Sequence, residues 1–292
     1  MTVRKVPECS EIYYVDVPMF GMQQVNSPYI VDAQMPAIVD TGPEAGAPSL
    51  LEGLDAIGRS PDEIEYILPT HAHLDHAGGA GHLAECCENA TVICHEKGVE
   101  YLTDERKLDT LAESVERAIG FQSPYGEPQV IDPSQSLAVV GGEQIDLGDR
   151  TLEIIDAPGH APHQYCVYEQ RNEVLFSGDA NGMQFPDVGH RPTTPPPNFD
   201  LEAALETIER LQTFEPETIL YPHFGPGEIG AGRRELEEYH ELLPAYVDRV
   251  SALRQECGED VSVIASEMTP EWGHWSLETD VAGILRYLDV QL

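Results

Sequence analysis

The chain of 292 residues is long enough for one large domain or two modest ones, and its 41% apolar content allows a sizeable core. Asp and Glu number 52 against 16 Lys plus Arg, a formal charge of −36. That field disfavours polyanionic partners such as nucleic acid at low salt, and no apolar run approaches the ~20 residues of a membrane span. The acids are scattered through every segment and form no tail or block, which reads as a salt-adapted, halophilic surface. At molar salt the Debye length shrinks to ~3 Å and self-repulsion is muted.

In chain order, Glu11 to Val17, Ser27 to Ala33 and Ala37 to Asp40 are short β-rich runs bounded by Pro, Gly or Asn, and predict strands. Pro48 to Ile57 predicts a helix with Leu50, Leu51, Leu54 and Ile57 on one face. A strand over Glu65 to Leu68, a brief helix over Gly81 to Glu88 and a strand over Thr91 to His95 follow. Glu96 to Ile119 is charged and helical in pattern, and leads into a Gly, Pro and aromatic loop, Gly120 to Pro133. A second β-rich group covers Ser136 to Val140, Glu143 to Leu147, Thr151 to Asp156, Tyr165 to Tyr168 and Glu173 to Ser177. Arg191-Pro-Thr-Thr-Pro-Pro-Pro can be neither helix nor central strand. Leu201 to Phe214 predicts an amphipathic helix and Thr218 to Tyr221 a strand, with helices over Arg233 to Glu256 and Thr279 to Leu288. No repeat of solenoid length is visible, and no linker separates independent domains. Two β-rich halves, each with helices, predict two sheets packed face to face with helices outside.

Cysteines stand at 9, 86, 87, 94, 166 and 257, with no Cys-x-x-Cys pair. Buried reduced thiols in a cytoplasmic protein are the expectation. The first seventeen residues lack the apolar stretch of a signal peptide.

The chemistry concentrates in Pro69-Thr-His71-Ala-His73-Leu-Asp75-His76-Ala-Gly-Gly79, directly after an apolar strand. Imidazoles and a carboxylate crowded into so short a strand-end loop suit zinc, manganese or iron. Three more donors sit at strand ends beside Gly or Pro: His160 in Asp156-Ala-Pro-Gly-His160, Asp179 in Phe176-Ser-Gly-Asp179, and His223 in Tyr221-Pro-His223-Phe-Gly-Pro. Each alone is a weak signal, but together and in this order they are strong.

This set, with Asp40-Thr-Gly42 upstream, resembles the metallo-β-lactamase superfamily over about Asn26 to Gly225. The resemblance implies an α/β fold, a four-layer αββα sandwich with the site at one edge between its sheets. Residues 1–230 would form the catalytic domain and 231–292 a helical extension packed on it. It implies two divalent ions, zinc first, with manganese and iron as the other candidates. His71, His73 and His160 would hold one ion, Asp75, His76 and His223 the other, with Asp179 bridging and Asp40 orienting the ligand loop. A water shared by two dications ionises near neutral pH. Asp75 and Asp179 are the catalytic candidates, orienting that nucleophile and carrying a proton to the leaving group. Serine-nucleophile and phosphate-loop motifs are missing from the sequence.

Within the superfamily, His73 stands where the flavodiiron branch carries glutamate, and no cysteine matches the ligand of the best-known β-lactamases. What remains is a metal-dependent hydrolase of a small ester, thioester or lactone. The alternatives are a phosphodiesterase of ribonuclease Z type and a mononuclear iron persulfide dioxygenase. A small-molecule substrate is expected, without nucleic acid or membrane, and with a homodimer contact left open through Trp272 or Trp275, which otherwise anchor the extension. His163 and Arg191 are candidates to line the pocket, and Phe121 and Tyr125 to wall a lid. His82, His95, His190, His240 and His274 read as structural or surface residues.

Overall fold

The computed structural model describes residues 3–291. One sheet is ordered β1 (Val3–Lys5), β2 (Ile12–Val15), β5 (Tyr29–Val31), β6 (Ala37–Val39), β7 (Tyr66–Leu68), β8 (Thr91–His95) and β9 (Ser136–Val139). Its pairs are antiparallel as far as β6 and parallel from β6 to β9. The second sheet is ordered β10 (Gln144–Asp146), β11 (Thr151–Asp156), β12 (Tyr165–Glu169), β13 (Val174–Phe176) and β16 (Thr218–Leu220). Only its β13–β16 pair is parallel. Two hairpins stand apart: β3 (Val17–Met19) with β4 (Met22–Asn26), and β14 (Met183–Phe185) with β15 (Gly189–Arg191).

Alternation along the strands builds the layers, because successive side chains point to opposite faces. Tyr29, Val31, Ala37, Val39, Leu68 and Ile93 meet Ile154, Tyr165, Val167, Phe176 and Leu220 in the core between the sheets. Their neighbours Ile30, Ile38, Ile67 and Val92 face outward, under α1 (Ala47–Ala56) and α3 (Ala80–Cys86). Ile155, Cys166, Leu175 and Ile219 face α6 (Leu201–Gln212), α7 (Gly232–Cys257), α8 (Val261–Trp272) and α9 (Leu277–Gln291). The result is the four-layer αββα sandwich with a helical C-terminal region. Two buried hydroxyls stitch the layers: Tyr29 donates to the Tyr221 carbonyl at 2.6 Å and Tyr165 to the Ile93 carbonyl at 2.9 Å.

Several elements differ from the sequence expectation. Ser136–Val139 pairs with β8, so it belongs to the first sheet although it opens the second β-rich stretch. The Glu96 to Ile119 pattern divides into α4 (Val99–Thr103) and α5 (Glu105–Ile119), because the Asp104 side chain caps the Arg106 and Lys107 amides. Arg191 ends a strand instead of opening the proline-rich connection. The β3–β4 hairpin turns on Phe20 and Gly21, with φ of 54° and 73°, the pair of positive values that a two-residue type I′ turn requires. None of the helices among the described residues is long and apolar enough to cross a membrane.

Gly159, next to His160, has φ 135°, and a Cβ there would lie 2.4 Å from the Ala204 Cα on α6. Gly159→Ala is therefore expected to destabilise the fold by roughly 2–4 kcal/mol. Urea denaturation in molar KCl measures this, and a change below about 0.5 kcal/mol, the range of a neutral surface substitution, would rule the account out.

Candidate metal centre

Each candidate ligand lies just past the carboxyl end of a strand, where the polypeptide leaves the hydrogen-bonded ladder. His71 and His73 follow β7, His160 follows β11 and His223 follows β16. The expected strand-end loop is only half right. Asp75 and His76 sit on a helical turn, α2 (Leu74–Ala77), and Asp179 on a 3-10 turn over Gly178–Asn181. The parallel register Phe176↔Leu220 puts Asp179 and His223, each three residues further on, side by side.

Seven side chains converge. His71 Nε2 lies 3.0 Å from His73 Nδ1, which lies 3.1 Å from His160 Nε2. On the other side, His76 Nε2 lies 3.3 Å from His223 Nε2 and 3.6 Å from Asp75 Oδ2. Asp179 stands between the groups, with Oδ2 3.5 Å from His160 Nε2 and Oδ1 3.5 Å from His76 Nε2. The donor atoms fall into the sets His71/His73/His160, Asp75/His76/His223 and His71/His76/Asp179.

The opposite nitrogens decide what this crowd is for. His160 Nδ1 faces the Thr193 carbonyl at 3.1 Å and His223 Nδ1 the Val25 carbonyl at 3.2 Å. Carbonyls only accept, so both Nδ1 atoms carry the proton and both Nε2 atoms present lone pairs. Asp40 does the same for the first cluster. Its Oδ2 takes His76 Nδ1 at 3.2 Å. Its Oδ1 takes the Thr70 hydroxyl at 2.9 Å, leaving the Thr70 oxygen to accept from His71 Nδ1 at 3.2 Å. Imidazoles tethered on their outer nitrogen and bare on the inner one have the arrangement that metal-binding histidines require. Asp179 Oδ1, buried and without a hydrogen-bond partner, fits a cation in the same place. The residues present suit divalent metal.

Electrostatics agree. Burial, then the neighbouring imidazoles, hold His71 and His73 well below the ordinary imidazole range. Burial also lowers His223. Burial would lower His76 too, but the carboxylates of Asp179, Asp75 and Asp40 reverse it and raise that group. Burial would raise Asp179, and the imidazoles of His76 and His160 overcome it, so its carboxyl is lowered.

The Metallo-beta-lactamase superfamily profile matches residues 21–223, more than half of the chain. The chain belongs to this superfamily. A relative named "Metallo-beta-lactamase fold-containing protein ST1585", from Sulfurisphaera tokodaii, is 33% identical over 166 residues, 56% of this chain and 62% of its own length. The human "Acyl-coenzyme A thioesterase MBLAC2" is 29% identical over 163 residues, 50% of this chain and 54% of that one. These stretches cover less than two thirds of either relative. In three dimensions the crystal structure of ST1585 superposes with a TM-score of 0.72 at 24% identity, covering 95% of this chain and 99% of the other. The crystal structure of a metallo-beta-lactamase family protein from Thermus thermophilus gives 0.68 at 20%, covering 96% and 94%. At those identities the superpositions speak for the metallo-β-lactamase fold.

The other candidates land as follows. His163 is buried behind the ligand loop, where its Nδ1 accepts from the Ala72 amide at 3.3 Å; burial pushes it down to about 4. Arg191 turns its guanidinium away, to the carbonyls of His190 at 2.8 Å and Glu271 at 3.3 Å, so it is no anion clamp here. Tyr125 is buried beside the site, its phenol raised by burial and then by Asp75 and Asp179. Phe20, on the hairpin turn, joins it at 5.3 Å between ring centroids, with Phe121 at 5.8 Å and Trp275 at 6.1 Å. Trp272 packs on Tyr246 in the helical layer instead. His95 is paired with Asp156 and His274 with Asp280. Four cysteines are buried, with Cys86 half-buried and Cys257 exposed.

Sequence reasoning missed Asn26, whose amide donates to the Asp75 carbonyl at 2.7 Å, and Thr41, whose hydroxyl donates to the His76 carbonyl at 2.7 Å. Thr41 sits inside the Asp40-Thr-Gly42 motif, so a signal existed; for Asn26 only its turn-like neighbourhood pointed anywhere.

Ligand nitrogens must be neutral to bind a metal. The surrounding carboxylates favour the protonated form of His76, whereas burial favours the neutral form of His71, His73 and His223. Zinc uptake should therefore release protons, from His76 among others. Calorimetry in buffers of different ionisation enthalpy reads this, and uptake without proton release would contradict it.

Proposed function

We propose that this chain is a dinuclear metal-dependent hydrolase of a small ester, thioester or lactone. The observation that carries the reading is Asp179, whose two oxygens face the two imidazole groups at equal distance. Two divalent ions held there would supply an ionised water and polarise the scissile carbonyl.

The chain's own groups do the rest. Asp179, its carboxyl lowered by the imidazoles of His76 and His160 and its Oδ1 left without a hydrogen-bond partner, is placed to align a water between the two sets of ligands. Asp75 retains 17% side-chain exposure while Asp179 retains 6%, so Asp75 faces the open edge where a substrate enters. It is the group placed to take the water's proton and deliver it to the leaving alcohol or thiol as the acyl carbon–oxygen or carbon–sulfur bond breaks.

Two further observations favour an acyl substrate. The thioesterase MBLAC2 is a relative at 29% identity. The wall of Phe20, Phe121, Tyr125 and Trp275 offers apolar surface beside the metal centre, and Arg191 is committed elsewhere. An uncharged acyl group fits such a wall better than a phosphodiester backbone does. Zinc is the ion we assign first, since imidazole and carboxylate donors suit it.

Chelation should abolish hydrolysis of an aryl ester, thioester and lactone panel in molar KCl, and zinc, manganese or iron should restore it. Asp179→Asn should lower kcat by roughly a hundred- to ten-thousand-fold. Exclusive turnover of a bis-aryl phosphate, or oxygen uptake with a single bound iron, would overturn the reading.

The same reading extends to salt. Many of the basic side chains are already matched, as in Arg59 with Asp32 and Arg171 with Asp149, so the excess carboxylates face one another across water. We propose a salt-adapted protein, whose Tm rises steadily between low salt and molar KCl. A Tm independent of KCl would sink that proposal.

A further inference from the structure

Asp280 on α9 is 2% exposed, a buried carboxylate far in sequence from any ligand. Its Oδ1 accepts from the Thr194 amide at 2.5 Å, and its own carbonyl accepts from the Thr194 hydroxyl at 3.0 Å. Its Oδ2 faces His274 Nε2 at 2.9 Å and accepts from the Ser276 hydroxyl at 3.0 Å. Several hydrogen bonds converging on one buried carboxyl group fix geometry where they meet.

What they fix lies one residue from the metal centre. Thr193 gives its carbonyl to His160 Nδ1 at 3.1 Å and its hydroxyl to the Asp179 carbonyl at 2.9 Å. The connection is thus Asp280 to Thr194, Thr193 and His160. The packing is equally tight, since a Cβ on Gly283 would lie 1.8 Å from the Thr194 carbonyl oxygen. Only glycine lets α9 come this close. The other oxygen of Asp280 holds the 274–276 loop, and Trp275, between His274 and Ser276, meets Phe20 in the aromatic wall.

We propose that Asp280 is a positioning residue for the ion held by His71, His73 and His160, acting through the Thr193 carbonyl that orients His160. The proposal rests on the dinuclear reading above. It makes the C-terminal helices part of the metal centre, not an appendage. One carboxylate holds both a ligand's tether and a loop of the substrate wall. No proton or electron moves in this role; Asp280 keeps His160 in one tautomer and one direction. Loss of a partner bonded directly to a ligand histidine typically costs about 10–100-fold in metal affinity, and Asp280, one bond further out, stands at the lower end of that range.

The test is zinc competition against a chromophoric chelator, resolving two equivalents per chain, on wild type, His160→Ala, Asp280→Ala and Asp280→Asn. His160→Ala identifies its own equivalent. Asp280→Ala should weaken that equivalent about tenfold and leave the other within about twofold. Asp280→Asn, which keeps one acceptor oxygen and the same volume, should fall between wild type and alanine; it carries the test if the alanine variant does not fold. Variants that match wild type at both equivalents, or weaken both by the same factor, would overturn the positioning role while leaving the hydrolase reading intact. Wild-type protein that takes up no zinc would sink both.

Discussion

The structure turns on the burial of imidazoles and carboxylates at one edge of the sheet sandwich. His71, His76, His160, His223 and Asp179 are each no more than 6% exposed, packed donor to donor. Ionised groups out of water are costly unless compensated. The imidazoles cannot all be protonated at such separations, and the carboxylates cannot all stay charged without a counter-charge. The outer nitrogens are tethered by Thr70, Asp40, Thr193 and Val25, so the rings cannot turn away from one another. A cation shared among neutral imidazoles would relieve every group at once.

That constraint explains why the surrounding backbone is unusual where it is. Asp40 holds a φ of 58°, a left-handed conformation that costs a non-glycine residue stability. From there its two oxygens serve Thr70 and His76 together. Gly78 and Gly81 show the same economy of space, since a Cβ on either would meet a backbone oxygen at 2.3 and 2.0 Å. At the ligand loop, one left-handed residue and two close backbone approaches thus serve the placement of the imidazoles.

How much of this was readable beforehand follows from the range of the interactions. The side chains that converge were legible, because His71, His73, Asp75 and His76 crowd one strand end, and the three others each end an apolar strand. The layers were legible from alternation. The ribbon of β14 and β15 was not, because Met183-Gln-Phe185 and Gly189-His-Arg191 are too short to show a period. Ser136–Val139 was assigned to the wrong half because strand order depends on a crossover, which local pattern does not encode. α2 was hidden by its own motif: a four-residue turn has no periodicity, and its helical bonds compete with nothing visible in the sequence. Asp280 was invisible for the plainest reason. Its partner Thr194 lies 86 residues away, and nothing in either neighbourhood announces the other.

The surface and the site place opposite demands on the chain, and the aromatic wall is where they meet. A charge of −36 keeps water and counter-ions on nearly every face, yet Phe121 and Trp275 remain 52% and 46% exposed beside Phe20. At high salt, exposed apolar area is penalised more heavily than in dilute buffer, because excluded salts strengthen effective burial. Exposed aromatic rings are therefore costlier in salt than in dilute buffer unless an apolar group covers them. They come from the β3–β4 hairpin, the loop after α5 and the turn before α9, three segments with no common strand to align them. Their relative placement has to be held by side chains. One oxygen of the Asp280 carboxylate does this for the 274–276 turn, while the other bonds the Thr194 amide next to the Thr193 carbonyl that His160 faces, so the turn that carries Trp275 and the tether of His160 share one buried side chain.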